Sequence, residues 1–333
     1  MNPTLTLAVA MTTYNGEKYL PEQLESLVRQ TRLPDEMVVC DDVSTDGTLA
    51  ILQEFAASAP FPVRILQNTQ NVGSSLNFWK VFSLVESDVT FFCDQDDVWA
   101  PEKIASAAAV FESEPEVELV LMDDLWVDAE GKPLFHARRN ERLRKPLEHE
   151  NTFRTLFALR HPGWAAHSMA VRTVVREKIT ALPLVPMFDN WLFWTLGATT
   201  EVRVRLEPLT HFRRHGGNVT SHSGKERNPF KLFFRMLRRR QDVQHFDQRI
   251  AYHRRLAEFL QTQEPLQIPE IQRYHTRIFQ HLQGRRDAIA HPLWRPWLVL
   301  REIFNGNYFA FSKGIRNIFS DLLAWPPRKK GTR

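Results

Sequence analysis

The sequence predicts an α/β chain: a mostly parallel sheet flanked by helices, followed by a basic helical region. Three observations predict it. Through the first 125 residues, short apolar strand-forming runs alternate with stretches whose apolar residues recur at helical spacing. Each strand-like run stops at a polar, turn-prone cluster. The charge is also uneven: residues 225–333 hold 22 Lys and Arg against 9 Asp and Glu, a net of +13, so residues 1–224 carry −9 in a chain whose total is +4.

Taken in order, Leu5 to Met11 is a short apolar strand, and Thr12-Thr13-Tyr14-Asn15-Gly16 is the loop behind it. Leu20, Leu24, Leu27 and Val28 predict a helix over Glu17 to Gln30 that Pro34 stops from continuing. Glu36 to Cys40 is the second strand. The loop Asp41 to Gly47 then offers Ser44 or Asp46 as the cap of a helix carrying Leu49, Ile51, Leu52 and Phe55. Val63 to Leu66, a helix with Phe78, Trp79 and Phe82, Val89 to Cys93, a helix opened by Pro101, and Val117 to Met122 continue the alternation. Such alternation implies parallel strands joined by right-handed crossovers, and ligands in these sheets bind beyond the carboxyl ends of the strands. Thr12 to Gly16, Asp41 to Asp46, Asn71 to Ser75 and Asp94 to Asp97 all follow strands, so they should converge on one rim.

The composition, 43% hydrophobic and 25% charged, is that of a globular chain with a sizeable core. No apolar run approaches the roughly 18 to 20 residues of a spanning helix. The Leu5 to Met11 run lacks a basic flank and a small-residue cleavage site. The expectation is a cytoplasmic protein, neither secreted nor spanning. Cys40 and Cys93 each close an apolar run, which suits small buried hydrophobes rather than a disulfide.

The stretch Phe91-Phe92-Cys93-Asp94-Gln95-Asp96-Asp97-Val98-Trp99 ends a strand in three carboxylates. Their mutual repulsion is best offset by a cation, and a hard divalent metal carrying a substrate phosphate is the functional reading. An ordinary acidic turn before a helix is the other reading. Neither G-x-x-x-x-G-K-[ST] nor G-x-G-x-x-G follows the first strand, which sets kinase-like and dehydrogenase-like functions aside.

These residues resemble the family 2 glycosyltransferases, especially rhamnosyltransferase-like members that build bacterial surface polysaccharides. Four motifs carry the resemblance: Thr12-Thr13-Tyr14-Asn15-Gly16, the loop from Asp41 and Asp42 through Ser44 and Thr45 to Asp46, Asn71-Val72-Gly73, and Asp94-Gln95-Asp96-Asp97 with Trp99. The likeness is strong over residues 5–125 and looser over 150–222. It implies the GT-A nucleotide-diphospho-sugar transferase fold in residues 1–224, with 1–125 binding the nucleotide-sugar and 126–224 on the acceptor side. Residues 225–333 form the basic helical extension. The implied reaction is inverting transfer of a sugar, with rhamnose a candidate, to a growing cell-surface glycan or lipid-linked saccharide.

The resemblance also assigns roles. Asp94 and Asp96 form the metal-binding D-x-D element for Mg²⁺ or Mn²⁺, with Asp96 the direct ligand and Asp94 on the ribose or a metal-bound water. Asp97 stands behind them. Asp41 or Asp42 accepts a hydrogen bond from the base, Thr12 and Tyr14 line the base pocket, and Asn71 and Gly73 complete the donor side. The family's second loop has glycine where this chain has Val43. If that glycine supplies a positive φ, Val43 adopts it only under strain.

Further on, Asp189 is a lone carboxylate in an apolar, aromatic stretch, where desolvation raises its pKa toward that of a useful base. The family's acceptor-activating base falls here; a helix cap for the residues from Trp191 on is the alternative. His211 to Asn218 resembles the family's arginine and histidine-glycine-glycine-asparagine segment. Arg213 or Arg214 is thus a diphosphate partner and His215 a metal ligand, unless the segment is a basic surface hairpin. His136, His161 and His167 read as structural or surface residues. The segment Ala166 to Val171 lacks the glycine and cysteine that the family often has at its start, so no acceptor residue is assigned there.

In the basic region, Phe230, Leu232, Phe233, Met236 and Leu237 interleave with Lys231, Arg235 and Arg238 to Arg240. Trp294, Trp297, Phe304, Tyr308, Phe309 and Phe311 follow with scattered Arg and Lys. Aromatic and basic residues suit an anionic membrane surface, here the inner face of the cytoplasmic membrane; a helical subdomain or homo-oligomer contact is the alternative. Two other functions compete with a glycosyltransferase. A nucleotidyltransferase making sugar nucleotides would want a glycine-rich basic loop after the first strand. A nucleic-acid binder would rest on the tail alone, with no zinc spacing or helix-turn-helix signature behind it, and nucleic acid is not an expected partner.

Overall fold

A computed structural model describes residues 4–138, 143–158, 164–179, 187–218, 243–263, 266, 268–291, 293–312 and 315–322. The chain divides into two compact units, Met1–Val219 and Thr220–Arg333.

The first unit opens with the alternation the sequence shows: β1 (Leu7–Thr13), α1 (Leu20–Val28), β2 (Glu36–Asp41), α2 (Thr48–Ser58), β3 (Val63–Gln67), α3 (Ser74–Leu84) and β4 (Val89–Cys93). β1, β2, β3 and β4 pair in parallel. β1, β4 and nearly all of β2 are fully buried, which is why they read as unbroken apolar runs rather than alternating ones. After a short β5 (Val98–Trp99) come α4 (Lys103–Ser113) and the long β6 (Val117–Val127). β7 (Pro133–Arg138), α5 (Arg144–His149) and α6 (Phe153–Ala158) follow, then β8 (Met169–Arg172), α7 (Val175–Ile179), α8 (Phe188–Thr199) and β9 (Glu201–Arg213). The sheet has nine strands in the order β3-β2-β1-β4-β8-β6-β9-β5, with β7 on β6.

The sheet is not parallel throughout: β8 runs antiparallel to both β4 and β6, and β5 antiparallel to β9. Two registers follow that no local pattern reveals. Phe91 faces Ala170, so moving three residues toward the rim on each strand sets Asp94 against His167. Val98 faces His211, so moving two residues back along one strand and forward along the other sets Asp96 against Arg213. Packed around Leu7, Val9, Met11, Phe91, Ile104 and Phe111, the core holds the rim on a rigid base. Cys40 and Cys93 are free and buried.

The described residues of the second unit form α9 (Val243–Thr262), α10 (Pro269–Ala290), α11 (Arg295–Phe304), α12 (Asn307–Phe311) and α13 (Ile315–Leu322). Phe246, Ile250, Ile278, Leu282 and Ile289 form one apolar cluster, and Ala288, Val299 and Tyr308 another. Among the described residues no helix is long and apolar enough to cross a membrane. The basic stretch from Phe230 to Arg240 lies outside the described residues.

Candidate active site

At the rim, the loop after β1 is clamped by its neighbours. Tyr14 N–H donates to Gln95 Oε1 at 2.7 Å and Gln95 Nε2 returns a bond to Tyr14 O at 2.9 Å. Asn15 N–H donates to Ser44 Oγ, and Gly16 N–H to Thr48 Oγ1. A Cβ at Gly16 would run into the Gln95 amide and displace the bonds it makes to Tyr14. Thr12 is buried, whereas Tyr14 is 50% exposed, so its ring stands free at the rim. Gly47, not Ser44 or Asp46, is the cap residue of α2 and makes no side-chain cap bond; Asp46, just before it, accepts Thr48 N–H on Oδ1 at 3.1 Å. Ser44 instead binds Asp41.

Asp41 and Asp42 are organisers of these loops. Asp41 is fully buried and accepts Thr13 Oγ1 at 2.9 Å, Ser44 N–H at 2.9 Å and Ser44 Oγ at 2.5 Å. Asp42 accepts Asn68 Nδ2 at 2.7 Å, Val72 N–H at 2.9 Å and Gly73 N–H at 2.8 Å. Asn71 Nδ2 reaches Asp42 O at 3.2 Å. Both carboxylates, one of which is expected to accept a hydrogen bond from the base, are buried and accept protein donors here. Gly73 holds φ +83 just before α3, a backbone reserved for glycine. Val43 holds φ +66, so the strain expected of a β-branched residue in the glycine position is present.

The three acids after β4 meet three environments. Asp94 keeps a third of its side chain exposed, Asp96 15% and Asp97 none. Asp96 Oδ2 receives His215 Nε2 at 2.8 Å and Asn218 Nδ2 at 3.2 Å. Gly217 N–H donates to His215 Nδ1 at 3.1 Å, which leaves the ring proton on Nε2, pointed at Asp96. His215 is thus a donor to Asp96 and can ligate a metal through Nε2 only by changing tautomer and losing the Gly217 bond. Burial, reinforced by the Asp94 charge, raises the Asp96 carboxyl against the His215 hydrogen bond.

Asp97 faces inward, accepting Arg213 N–H on Oδ1 at 3.0 Å. Arg213 turns inward with it. Its Nε donates to Asp96 O and its Nη1 to Ala129 O, both at 3.0 Å; its Nη2 pairs with Glu22, and the guanidinium lies 4.9 Å from the Tyr19 ring centroid. With 2% exposure and every side-chain nitrogen engaged, Arg213, expected as a diphosphate partner, braces the acidic loop in this structure.

His167 is the residue sequence reasoning passed over. It is buried, stacked on Phe212 at 4.7 Å, with Nδ1 3.3 Å from Asp94 Oδ2 and 3.5 Å from Asp97 Oδ2, and Nε2 3.5 Å from Asp124 Oδ2. Burial alone would lower its pKa, but Asp97, Asp124 and Asp94 outweigh that and push it up to about 10. Lys103, also missed, donates its Nζ to His167 O at 2.6 Å and to Thr210 Oγ1 at 2.7 Å, 3.8 Å from the Trp99 ring centroid. Desolvation pushes it down to about 7 against the pull of the surrounding anions. The antiparallel β8 brings His167 beneath the acids, and Lys103 reaches the same place from the start of α4. A lone histidine or lysine carries no local signal of that.

One atom each from Asp94, Asp97 and His167 lie within 4.8 Å of one another, a spacing a metal could use. In the interior the His167 ring lies 3.3 to 3.5 Å from carboxylate oxygens of Asp94, Asp97 and Asp124 and offers its charge to all three. The two more exposed acids, Asp94 and Asp96, are hard oxygen donors at the solvent side, the chemistry that suits Mg²⁺ or Mn²⁺.

Asp189 sits in the first turn of α8. The turn is fixed from below by Phe188, stacked on Phe78 at 5.4 Å and edge-on to Phe92 at 4.9 Å. Ser75 Oγ, which accepts Met187 N–H at 2.9 Å, holds its start. Met187, not Asp189, precedes the helix as its cap residue, and no side chain caps it. Burial raises the Asp189 carboxyl, Asn190 N–H at 2.7 Å works against the shift, and the Asp94 charge adds to it. Phe188 against Phe92 of β4 sets Asp189 near the end of that strand, where the Asp94 and His167 charges bear on it.

Residues 8–173 match the family described as glycosyl transferase family 2. The chain belongs to the family 2 glycosyltransferases. Among curated relatives, this family 2 chain is 39% identical to the dTDP-rhamnosyl transferase RfbG of Shigella flexneri over 101 residues, 29% of this chain and 35% of that protein. It is 26% identical over 226 residues to an uncharacterised glycosyltransferase of Nostoc, covering 64% of this chain and 66% of that one. The matches thus span about a third to two thirds of these relatives' length. Among solved structures, TarS 1–349 of Staphylococcus aureus in complex with UDP-GlcNAc superposes with a TM-score of 0.54 at 20% identity, covering 94% of this chain and 90% of that one. The family 2 chain therefore has the GT-A fold, a mostly parallel sheet flanked by helices.

Proposed function

We propose that the protein is an inverting glycosyltransferase that moves a sugar from a nucleotide-diphosphate donor to a hydroxyl of a growing cell-surface glycan or lipid-linked saccharide. The observation that carries this reading is the gathering of Asp94, Asp96 and Asp189 at the rim of a family 2 domain. Rhamnose is the first donor sugar to test, because the relative from Shigella flexneri is named a dTDP-rhamnosyl transferase.

In this reading Asp189 takes the proton of the acceptor hydroxyl, a role its raised carboxyl favours. The acceptor oxygen attacks the anomeric carbon as the bond to the diphosphate oxygen breaks on the opposite face, and the configuration inverts. Asp94 and Asp96 would hold Mg²⁺ or Mn²⁺, which supplies positive charge against the departing diphosphate. Tyr14 and Thr12 line the base pocket; Asp41, Asp42, Asn71 and Gly73 fix the loops that shape it. His215 and Arg213 hold the acidic loop in place. A glycan acceptor under construction also fits work at the inner face of the cytoplasmic membrane.

The test is donor hydrolysis and thermal stabilisation with dTDP-rhamnose, UDP-glucose, UDP-galactose and GDP-mannose, each with and without Mg²⁺ or Mn²⁺. One donor should stabilise and turn over in a metal-dependent way. If no nucleotide-sugar stabilises the protein under any condition, the reading fails.

A further inference from the structure

The outward face of α11 has the reverse of the polarity expected of a helix in water. Inward it turns Arg295, Val299 and Glu302. Outward it turns Trp297 at 58% exposure, Leu300 at 49% and Phe304 at 85%; Leu293 at 94% and Trp294 at 67% stand just before it. Leu293, Trp297, Leu300 and Phe304 recur at spacings of four, three and four, a single stripe along the helix. The buried polar groups are satisfied: Arg295 donates to Ala288 O and Ile289 O, and Glu302 accepts His281 Nδ1 at 2.7 Å and Asn307 Nδ2 at 2.9 Å.

We propose that this stripe is a membrane-contact surface that lies in the interface of an anionic bilayer. The inference deepens the peripheral-membrane part of the proposed function and rests on it. Charge selects this occupant. From His291 to Leu322 the only acidic residues are Glu302 and Asp321, and both are buried. Arg285 grips Asp321 at 2.6 and 2.9 Å, with Tyr308 Oη at 2.7 Å. The exposed charge beside the stripe is positive: the Arg301 guanidinium lies 5.6 Å from the Trp297 ring centroid with 43% of its side chain exposed. Tryptophan and phenylalanine enter the headgroup boundary while arginine stays at phosphate level. A second copy of the chain is a poorer occupant, because docking stripe on stripe would bring two regions of net +13 together.

The test is flotation of the full chain with vesicles of phosphatidylethanolamine and phosphatidylglycerol, against phosphatidylcholine alone, at low and high salt. Binding should favour the anionic vesicles, weaken with salt, and drop roughly tenfold in a Trp297→Ser, Leu300→Ser, Phe304→Ser variant whose circular dichroism is unchanged. Equal binding to both vesicle types, no binding by the unsubstituted chain, or a variant that floats as well as the parent overturns the proposal. So does a parent that sediments as a dimer without binding vesicles. Donor-induced thermal stabilisation in the same samples reports on the transferase reading separately, so either can fail alone.

Discussion

His167 Nδ1 lies 3.3 Å from Asp94 Oδ2, across a strand pairing in which β8 runs against β4. The histidine is a built-in cation beneath the acidic loop: among the described residues Asp97 Oδ2 and Asp124 Oδ1 have no hydrogen-bond partner, and the ring offers charge to both side chains. Removing it strands three carboxylates in or near the interior. His167→Gln should therefore lower stability by about 3 to 5 kcal/mol, the cost of breaking a buried ion pair from one side. Burial pushes the Asp97 carboxyl up to about 8 against the pull of the His167 charge, so Asp97 is costly to leave beside no cation; adding Asp97→Asn keeps an oxygen for Arg213 N–H, and the double variant should recover part of the loss. A urea double-mutant cycle reads the coupling; strictly additive losses would show that the two groups do not interact.

That cation marks the limit of what the sequence discloses. The alternation from Leu7 to Cys93 is legible because buried parallel strands are apolar throughout and crossover helices show their period. The convergence of Thr12, Asp41, Asn71 and Asp94 is legible because each follows a strand. Illegible are the pairings of β8 with β4 and of β5 with β9, whose few residues meet partners about 80 to 110 positions away. His167, Lys103 and the inward turn of Arg213 all depend on those pairings, and a motif shows which residue types are present but not which way they face. Asp41 and Asp42 illustrate the same gap: the motif names them, while Thr13, Asn68 and Gly73 decide what their oxygens do.

Asp189→Asn should move activity and stability in opposite directions. Loss of the base should lower transfer by roughly 10² to 10⁴-fold with donor binding kept. The folded carboxyl has a pKa raised above its unfolded value, so its protonated form fits the fold better. Its contribution to stability is present below the unfolded pKa and lost as pH rises through the folded one. At neutral pH the neutral amide should therefore raise the melting temperature slightly. Transfer by the parent should fall as acid protonates Asp189, and that limb should vanish in the variant. Retained turnover in Asp189→Asn would end its role as base.

Val43 at φ +66 stores strain that glycine lacks. Relief of about 1 to 3 kcal/mol, offset by the roughly 0.5 to 1 kcal/mol that glycine loses in backbone entropy, should leave Val43→Gly more stable by about 1 kcal/mol. The shift is read from the urea midpoint. A destabilised variant would mean that packing of the valine side chain outweighs its backbone.

Arg213→Lys separates a brace from a ligand. Lysine keeps the charge but loses the fork that spans Asp96 O, Ala129 O and Glu22. Stability should fall by about 2 kcal/mol, as expected when a buried hydrogen-bond network is broken. Were Arg213 instead a direct diphosphate partner, donor affinity would fall while the unfolding midpoint stayed in place.

Metal dependence should run through Asp96 more than through His215. Asp96 is oriented by His215 Nε2 and Asn218 Nδ2 on a single oxygen, Oδ2, and Oδ1 is the oxygen suited to a cation. Chelation with EDTA should abolish donor-induced thermal stabilisation, and Mn²⁺ or Mg²⁺ should restore it in the parent. Asp96→Ala should remove that restoration. His215→Gln, which retains a side-chain donor, should weaken metal affinity by about 10 to 100-fold, as expected of a residue that orients a ligand. If His215→Gln abolishes metal binding as completely as Asp96→Ala, the histidine ligates directly and its ring must change tautomer, giving up the Gly217 N–H bond to do so.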